Sequence, residues 1–252
     1  MSQAVILETQ NLTHIFPDGT VGIKDVNLKI HQGEFIIIAG SNASGKTVLS
    51  RHLNALLVPT TGKVLLDGEL ISKNVAKARR KIGLIFQDSN SQFVAQTVYE
   101  DVAFGPENLN LPRIEVETIV HESIAAVGLS NVATHNPYTL SGGQKRKLAV
   151  AGVLAMKPEI IIFDEPFTGL DYLGVVQVLQ QLIKLHETGH TIILITHELE
   201  KVLAHASRLI VMHQGKLVAD GIPEEAIETV ERYGIRMPLK KGERIDSLTW
   251  ME

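Results

Sequence analysis

Apolar residues in this chain gather in short, unbroken runs. Phe35-Ile36-Ile37-Ile38-Ala39, Ile160-Ile161-Ile162-Phe163 and Thr191-Ile192-Ile193-Leu194-Ile195 show almost no polar alternation. Runs this short and this apolar predict strands buried on both faces, as in a parallel sheet. Lys81-Ile82-Gly83-Leu84-Ile85-Phe86, ending at Gln87, predicts another. Leu209 to Met212 and Leu217-Val218-Ala219 predict two terminal strands around Gln214-Gly215. Between these runs the period changes. Val48 to Leu57 is apolar at helical spacing, and Tyr172 to His186 carries Leu173, Val176, Leu179, Leu182 and Ile183 in the same way. Strand–helix–strand–helix order predicts an α/β fold, a parallel sheet covered by helices on both sides.

Two regions depart from that rhythm. Val5-Ile6-Leu7, Leu12 to Phe16, Val26 to Ile30 and Lys63 to Leu66 predict strands joined by Pro17-Asp18-Gly19, Thr60-Thr61-Gly62 and an Asp67-Gly68 hairpin signal. They predict a small antiparallel β subdomain at the N-terminus. From Asp88 to about Met156 the texture is helical, with Pro112 opening one helix, Gly128 closing it, and another from Lys145 to Ala155. The expected organisation is one domain over residues 1–230 with a helical subdomain inserted at about 88–156. Residues 231–252 form a weakly patterned tail whose Trp250 either contacts a neighbouring subunit or packs on its own domain.

Composition narrows the classes. A net charge of −4 gives no global attraction to nucleic acid, and the runs Arg79-Arg80-Lys81 and Lys145-Arg146-Lys147 read as solvated faces, so no nucleic-acid partner is expected. With no cysteine there are no disulfides or thiolate metal sites, which fits a reducing compartment. No apolar run approaches bilayer length and Met1 to Gln10 does not resemble a signal peptide. The expectation is a cytoplasmic protein.

The chemistry lies at strand ends. Gly40-Ser41-Asn42-Ala43-Ser44-Gly45-Lys46-Thr47 follows one buried strand and precedes a helix, the context in which G-x-x-x-x-G-K-[ST] cradles phosphate on backbone N–H groups. Lys46 is expected to reach the β- and γ-phosphates, and the Thr47 hydroxyl to bind Mg²⁺. Asp164 and Glu165 end another strand: Asp164 is expected at the metal, Glu165 as general base for the attacking water. Gln87 and His197 also end strands. They are candidates to touch the metal and to bond the γ-phosphate or hold Glu165. Leu140-Ser141-Gly142-Gly143-Gln144 opens a second anion-accepting helix start, although Ser before two glycines also makes a plain helix cap. Two chains packed head-to-tail would place the loop of one and the Ser-Gly-Gly turn of the other on the same ATP. His186-Glu187-Thr188-Gly189-His190 matches a zinc-protease pattern, but Gly189 would end the helix and turn the rings apart.

Taken in order, residues 40–47, Gln87, 140–144, Asp164-Glu165, Gly169-Leu170-Asp171 and His197 resemble an ABC-type ATPase of the P-loop NTPase class with its RecA-like sheet, over roughly residues 4 to 222. The resemblance implies a dimer that sandwiches ATP and Mg²⁺, Phe16 stacking on adenine, and Asp171 signalling across the dimer. Ala43 stands where that family usually has glycine. The segments Asp88-Ser89-Asn90-Ser91-Gln92-Phe93-Val94 and Thr97 to Pro106 resemble the ATPase subunits of energy-coupling factor importers, which include cobalt and nickel systems. That implies a transmembrane coupling subunit and a membrane substrate-binding subunit as partners, a location at the cytoplasmic face of the membrane, and Gln92 and Phe93 at the coupling contact. Phe104 is expected in the core of the helical subdomain. Many members have Asn-Pro-Asp where this chain has Asp88-Ser89-Asn90, so vitamin and metal-ion cargo both stay open. The competing class is a soluble ABC ATPase acting on ribosomes or DNA.

Overall fold

The computed structural model describes residues 4–88, 92–240 and 242–251. In chain order the strands are β1 (Val5–Ile15), β2 (Val21–His31), β3 (Phe35–Ala39), β4 (Thr61–Leu66), β5 (Glu69–Leu70), β6 (Ile82–Ile85), β7 (Ile160–Asp164), β8 (Thr191–Ile195), β9 (Arg208–His213) and β10 (Lys216–Gly221). The helices are α1 (Lys46–Leu53), α2 (Val75–Lys81), α3 (Val98–Asn108), α4 (Arg113–Ala126), α5 (Gly142–Leu154), α6 (Tyr172–Glu187) and the short α7 (Pro223–Ala226). The isoleucine-rich runs form the inside of a six-stranded sheet ordered β10-β9-β3-β8-β7-β6. Its strands run parallel except β10, which folds back antiparallel on β9.

Alternation along each inner strand shows why the runs are apolar on both faces. Phe35, Ile37 and Ala39 of β3 join one core with α3 to α6, while Ile36 and Ile38 join another under α1 and the N-terminal sheet. In β7, Ile161 and Phe163 face the first core, Ile160 and Ile162 the second. Each fully buried Ile or Leu contributes about 1.5–3 kcal/mol, so a polar residue in either register would be costly. The parallel arrangement also gathers the carboxyl ends of β3, β6, β7 and β8 on one edge, where open α/β sheets bind ligands.

The antiparallel subdomain is a four-stranded sheet ordered β2-β1-β4-β5. The two expected N-terminal strands are one: β1 runs through a bulge at Asn11, whose φ is 48° and whose N–H donates to Asn27 Oδ1 at 2.8 Å. Asp67 and Gly68, both at positive φ, make the tight β4–β5 turn. α1 is shorter than its pattern, stopping at Leu53. Asn54 then donates its side-chain amide to the Ile82 carbonyl and ties the helix end to β6. α6 is rotated from the expected stripe: Val175, Val178, Leu179, Leu182 and Leu185 are buried, whereas Leu173 is 66% exposed.

Phe93 and Phe104 exchange places relative to expectation. Phe93 is buried, edge-on to Tyr138 with centroids 6.1 Å apart, and Phe104 on α3 is half exposed. Arg79 and Arg80 are solvated as expected, but Arg146 is buried. The segment after residue 230 packs on the domain through Ile235, Ile245 and Leu248 in the first core. Trp250 lies against Tyr172 and Lys201 of its own chain.

Candidate functional site: a nucleotide cleft

The loop after β3 bends back because its glycines permit it. A Cβ on Gly40 would stand 2.3 Å from Ser44 Oγ and 2.7 Å from the Met212 carbonyl oxygen. Gly45 caps α1 at φ 100°, and a Cβ there would come within 2.7 Å of the Gly22 carbonyl oxygen, so no side chain fits. Ala43 also takes a left-handed conformation, at φ 61°, which explains the glycine preference there; the methyl costs about 1 kcal/mol. Ala43 is exposed and lines the cleft, so its methyl meets no core packing. Lys46 is buried, its ammonium donating to the Gly40 and Ser41 carbonyls at 2.7 and 3.0 Å. Burial pulls that ammonium below its ordinary range, and the charges of Glu165 and Asp164 push back.

The end of β7 brings the acids to this loop. Thr47 donates to Asp164 Oδ1 at 3.4 Å. Burial raises the Asp164 carboxyl above the usual carboxylate range, opposed by the Thr47 bond, raised further by Glu165, and lowered by Lys46 and Arg51. Glu165 is buried at φ 49° and its N–H donates to the Ile195 carbonyl at 2.9 Å. That left-handed kink pins its backbone to the end of β8. From the same strand end, His197 Nδ1 meets both Glu165 carboxylate oxygens at 3.0 and 3.1 Å. Of the two roles expected for His197, this geometry is the one that orients Glu165. A cleft of about 540 Å³ is lined by residues 42–48 together with Phe16, Gln87, Glu165, Thr168 and His197. Phe16 stands over Gly22, where a Cβ would come within 2.9 Å of its ring, and His14 braces it edge-on at 4.7 Å.

The other expected residues lie elsewhere. Ser141 caps α5 with a reciprocal box: Gln144 N–H donates to Ser141 Oγ at 3.3 Å, and Ser141 N–H to Gln144 Oε1 at 3.0 Å. Ser141 and Gly142 are exposed, and none of residues 141–144 lines the cleft. Asp171 is an exposed cap of α6, accepting the Gly174 N–H at 2.8 Å. Gln92 Oε1 accepts the Phe86 N–H at 3.3 Å. Ser89, Asn90 and Ser91, part of the segment compared with energy-coupling factor ATPases, lie outside the described residues.

Comparison with known proteins decides what family this cleft belongs to. The ABC transporter family pattern matches residues 23–168. The energy-coupling factor transporter ATP-binding protein EcfA of Methanocaldococcus jannaschii is 42% identical over 239 residues, covering 92% of this chain and 86% of that protein. EcfA of Methanococcus maripaludis is 41% identical with the same coverage. This chain belongs to the ABC transporter ATP-binding proteins. Among solved structures, cbiO1 from Clostridium perfringens, described as part of the ABC transporter complex cbiONQ, superposes with a TM-score of 0.81 at 34% identity, covering 94% of this chain and 97% of that one. The ATP-binding cassette MJ0796, solved as a dimer in a post-hydrolysis state with ADP and Pi, gives 0.77 at 30% identity over 86% of this chain and 98% of that one.

As an ABC ATPase the chain holds site residues that its sequence pattern concealed. Arg146 is 4% exposed and donates to the Phe86 and Gln87 carbonyls at 2.9 and 3.0 Å, joining α5 to the turn that carries Gln87. Helical spacing was the available signal, since Arg146 shares a stripe with Ala149, Val150 and Val153. Thr168, three residues after Glu165, lines the cleft with no motif to mark it. The zinc-like pair divides as its Gly189 implied: His186 Nε2 meets the Gly33 carbonyl at 2.9 Å, and His190 Nδ1 the Leu185 carbonyl at 3.0 Å.

Proposed function

We propose that this chain is the ATP-hydrolysing subunit of an energy-coupling factor importer, and that two ATPase subunits close on ATP to drive uptake of a vitamin or a transition-metal ion. The observation that carries the hydrolytic step is a buried Glu165, gripped by His197 across the mouth of a glycine-bounded phosphate loop. Lys46 leaves the loop carbonyls for the β- and γ-phosphates, and residues 40–47 present backbone N–H groups to them. Phe16 stacks on the adenine. Glu165, aimed by His197, takes the proton of the attacking water. Ser141, Gly142, Gly143 and Gln144 of the second subunit close over the same nucleotide, with Asp171 signalling between the two sites.

The residues suit Mg²⁺. Thr47, Asp164 and Gln87 supply hard oxygen donors, and the raised carboxyl of Asp164 is what burial without a full counter-charge produces. Bound Mg²⁺ supplies neutralisation of charge on the β- and γ-phosphates.

Supporting the transport role, the relatives named EcfA match nearly the whole chain, and cbiO1 is part of a transporter complex. A groove of about 270 Å³ lies between the β6 end and α3, with Gln92, Val94, Asp101 and Phe104 on its walls. Its apolar rim fits a helix of a membrane partner. Phe93 is buried against Tyr138 and does not line that groove, while Asp101 accepts the Val94 and Ala95 N–H groups at 2.8 and 3.2 Å and so shapes the loop. No helix among the described residues is long and apolar enough to cross a membrane. In this reading, attachment to the cytoplasmic face runs through membrane subunits.

The decisive experiment is Glu165→Gln. It should bind ATP, lose about 10²–10⁴ in hydrolysis, and run as an ATP-dependent dimer on gel filtration. A monomer at saturating ATP would count against the sandwich. Co-purification of the tagged chain with a polytopic membrane protein supports the importer; co-purification with ribosomes or DNA alone sinks it.

A further inference from the structure

The segment behind His197 is held by an unusual arrangement. Lys201 is 6% exposed and pairs with Glu198, whose second carboxylate oxygen is buried with no hydrogen-bond partner. The Lys201 ammonium lies 4.6 Å from the Trp250 ring centroid and 5.8 Å from that of Phe167. A cation withdrawn from water gains from aromatic faces, so the indole helps keep the ammonium where it is. Backbone bonds fasten the same place. Trp250 N–H donates to the Lys201 carbonyl at 3.2 Å, Ala204 N–H to the Leu248 carbonyl at 3.1 Å, and His205 Nε2 meets Thr249 Oγ1 at 2.8 Å.

The other edge of the indole reaches a different part of the site. Its ring lies 5.5 Å from that of Tyr172, the first residue of α6 and the neighbour of Asp171. One side chain from the tail therefore touches both the element that follows His197 and the element that follows Asp171. The first consists of two short 3₁₀ turns, Leu199–Lys201 and Leu203–His205, each closed by its own backbone bonds and separated from the other by Val202. The second is an exposed helix start.

We propose that Trp250, seated on Lys201, is a positioning residue that links His197 of a chain's own ATP site to Asp171, which serves the site of the second subunit, so that the two sites turn over together. This rests on the dimer reading given above. A side chain that only filled space would change stability. A joint changes the coordination of the two sites.

Trp250 is the sole tryptophan, so its emission reports on this joint directly. In the full-length Glu165→Gln chain, Mg-ATP should shift tryptophan emission over the same ATP range that produces the dimer on gel filtration. In the otherwise native chain, Trp250→Ala should lower kcat about tenfold with KM for ATP within about twofold. The Hill coefficient should fall toward one. Trp250→Phe, which keeps an aromatic face for Lys201, should recover most of kcat. If ATP still forms the dimer and Trp250→Ala keeps kcat within twofold, the coupling is overturned whatever the emission does. A parallel loss of kcat, ATP affinity and urea midpoint reduces Trp250 to a packing residue and overturns it as well. Failure of Glu165→Gln to dimerise removes the reading beneath it, and that outcome is told apart by gel filtration alone.

Discussion

α1 and α5 both begin at glycine-bounded turns, and both were expected to receive phosphate. Their surroundings differ. The start of α1 is enclosed: Lys46 is buried, Asp164 and Glu165 stand opposite, and the loop lines a cleft. The start of α5 is exposed, its Ser141 and Gln144 are occupied with each other, and none of residues 141–144 lines the cleft. A helix start with its own capping box gives up little by facing water, while a buried lysine among acids needs a ligand or close contacts. The lesson is that two helix starts with similar sequence signals can differ wholly in setting: one is enclosed with a buried lysine among acids, the other is a self-capped surface, and the proposed dimer gives that surface its use.

The largest effect comes from separating the two halves by mutation. Lys46→Ala should abolish ATPase activity through the enclosed half, and Ser141→Arg through the displayed half. Mixed in equal amounts, the two inactive proteins should recover up to about a quarter of the parental rate, because half the dimers carry one site with both parts intact. No recovery in a mixture shown to form mixed dimers would mean that both helix starts serve one chain's own nucleotide.

Arg146 sharpens the comparison at the point where the halves join. It sits on the displayed helix and holds the turn carrying Gln87 on the enclosed side. Arg146→Met keeps the stem but leaves the Phe86 and Gln87 carbonyls short of a donor. Urea unfolding should show a loss of about 2–4 kcal/mol. Were Arg146 a solvated member of its basic run, the loss would stay within about 0.5 kcal/mol.

How much of this was legible depends on the physical source of each signal. β3, β7 and β8 declared themselves because strands covered on both faces tolerate almost nothing but apolar residues. Glycine and lysine at fixed spacing marked the phosphate loop, since backbone geometry at Gly40 and Gly45 excludes side chains. The failures share a different cause. Arg146 hid in Lys145-Arg146-Lys147, where chain neighbours face different sides of a helix. Phe93 and Phe104 changed places because burial inside the helical insert is decided by how α3, α4 and α5 pack, which no local pattern records. Leu173 looked like core for the same reason: its period was right for α6 but its face was not. Trp250 carried no pattern at all, since an irregular tail has no period to read.

The smallest effect tests whether the enclosed half also carries the acid sensitivity of the fold. His52, near the end of α1, is fully buried, with its ring 4.8 Å from that of His14, which in turn braces Phe16. Burial, then the nearness of His14, lowers its pKa to about 4, against a small opposing effect of the Leu57 backbone. The unfolded chain binds a proton at this ring near pH 6.5, whereas the folded one resists until about pH 4. Between those values the unfolded state holds more protons, so stability is full above about 6.5 and falls as pH drops. The loss should reach about 2 kcal/mol at pH 5 and level off near 3 kcal/mol below pH 4. His52→Phe keeps a ring against His14 and removes the titration. Urea unfolding at pH 7 and pH 5 should therefore show the parent losing about 2 kcal/mol more than the variant. Equal losses in both proteins would place the acid sensitivity outside α1 and its cleft.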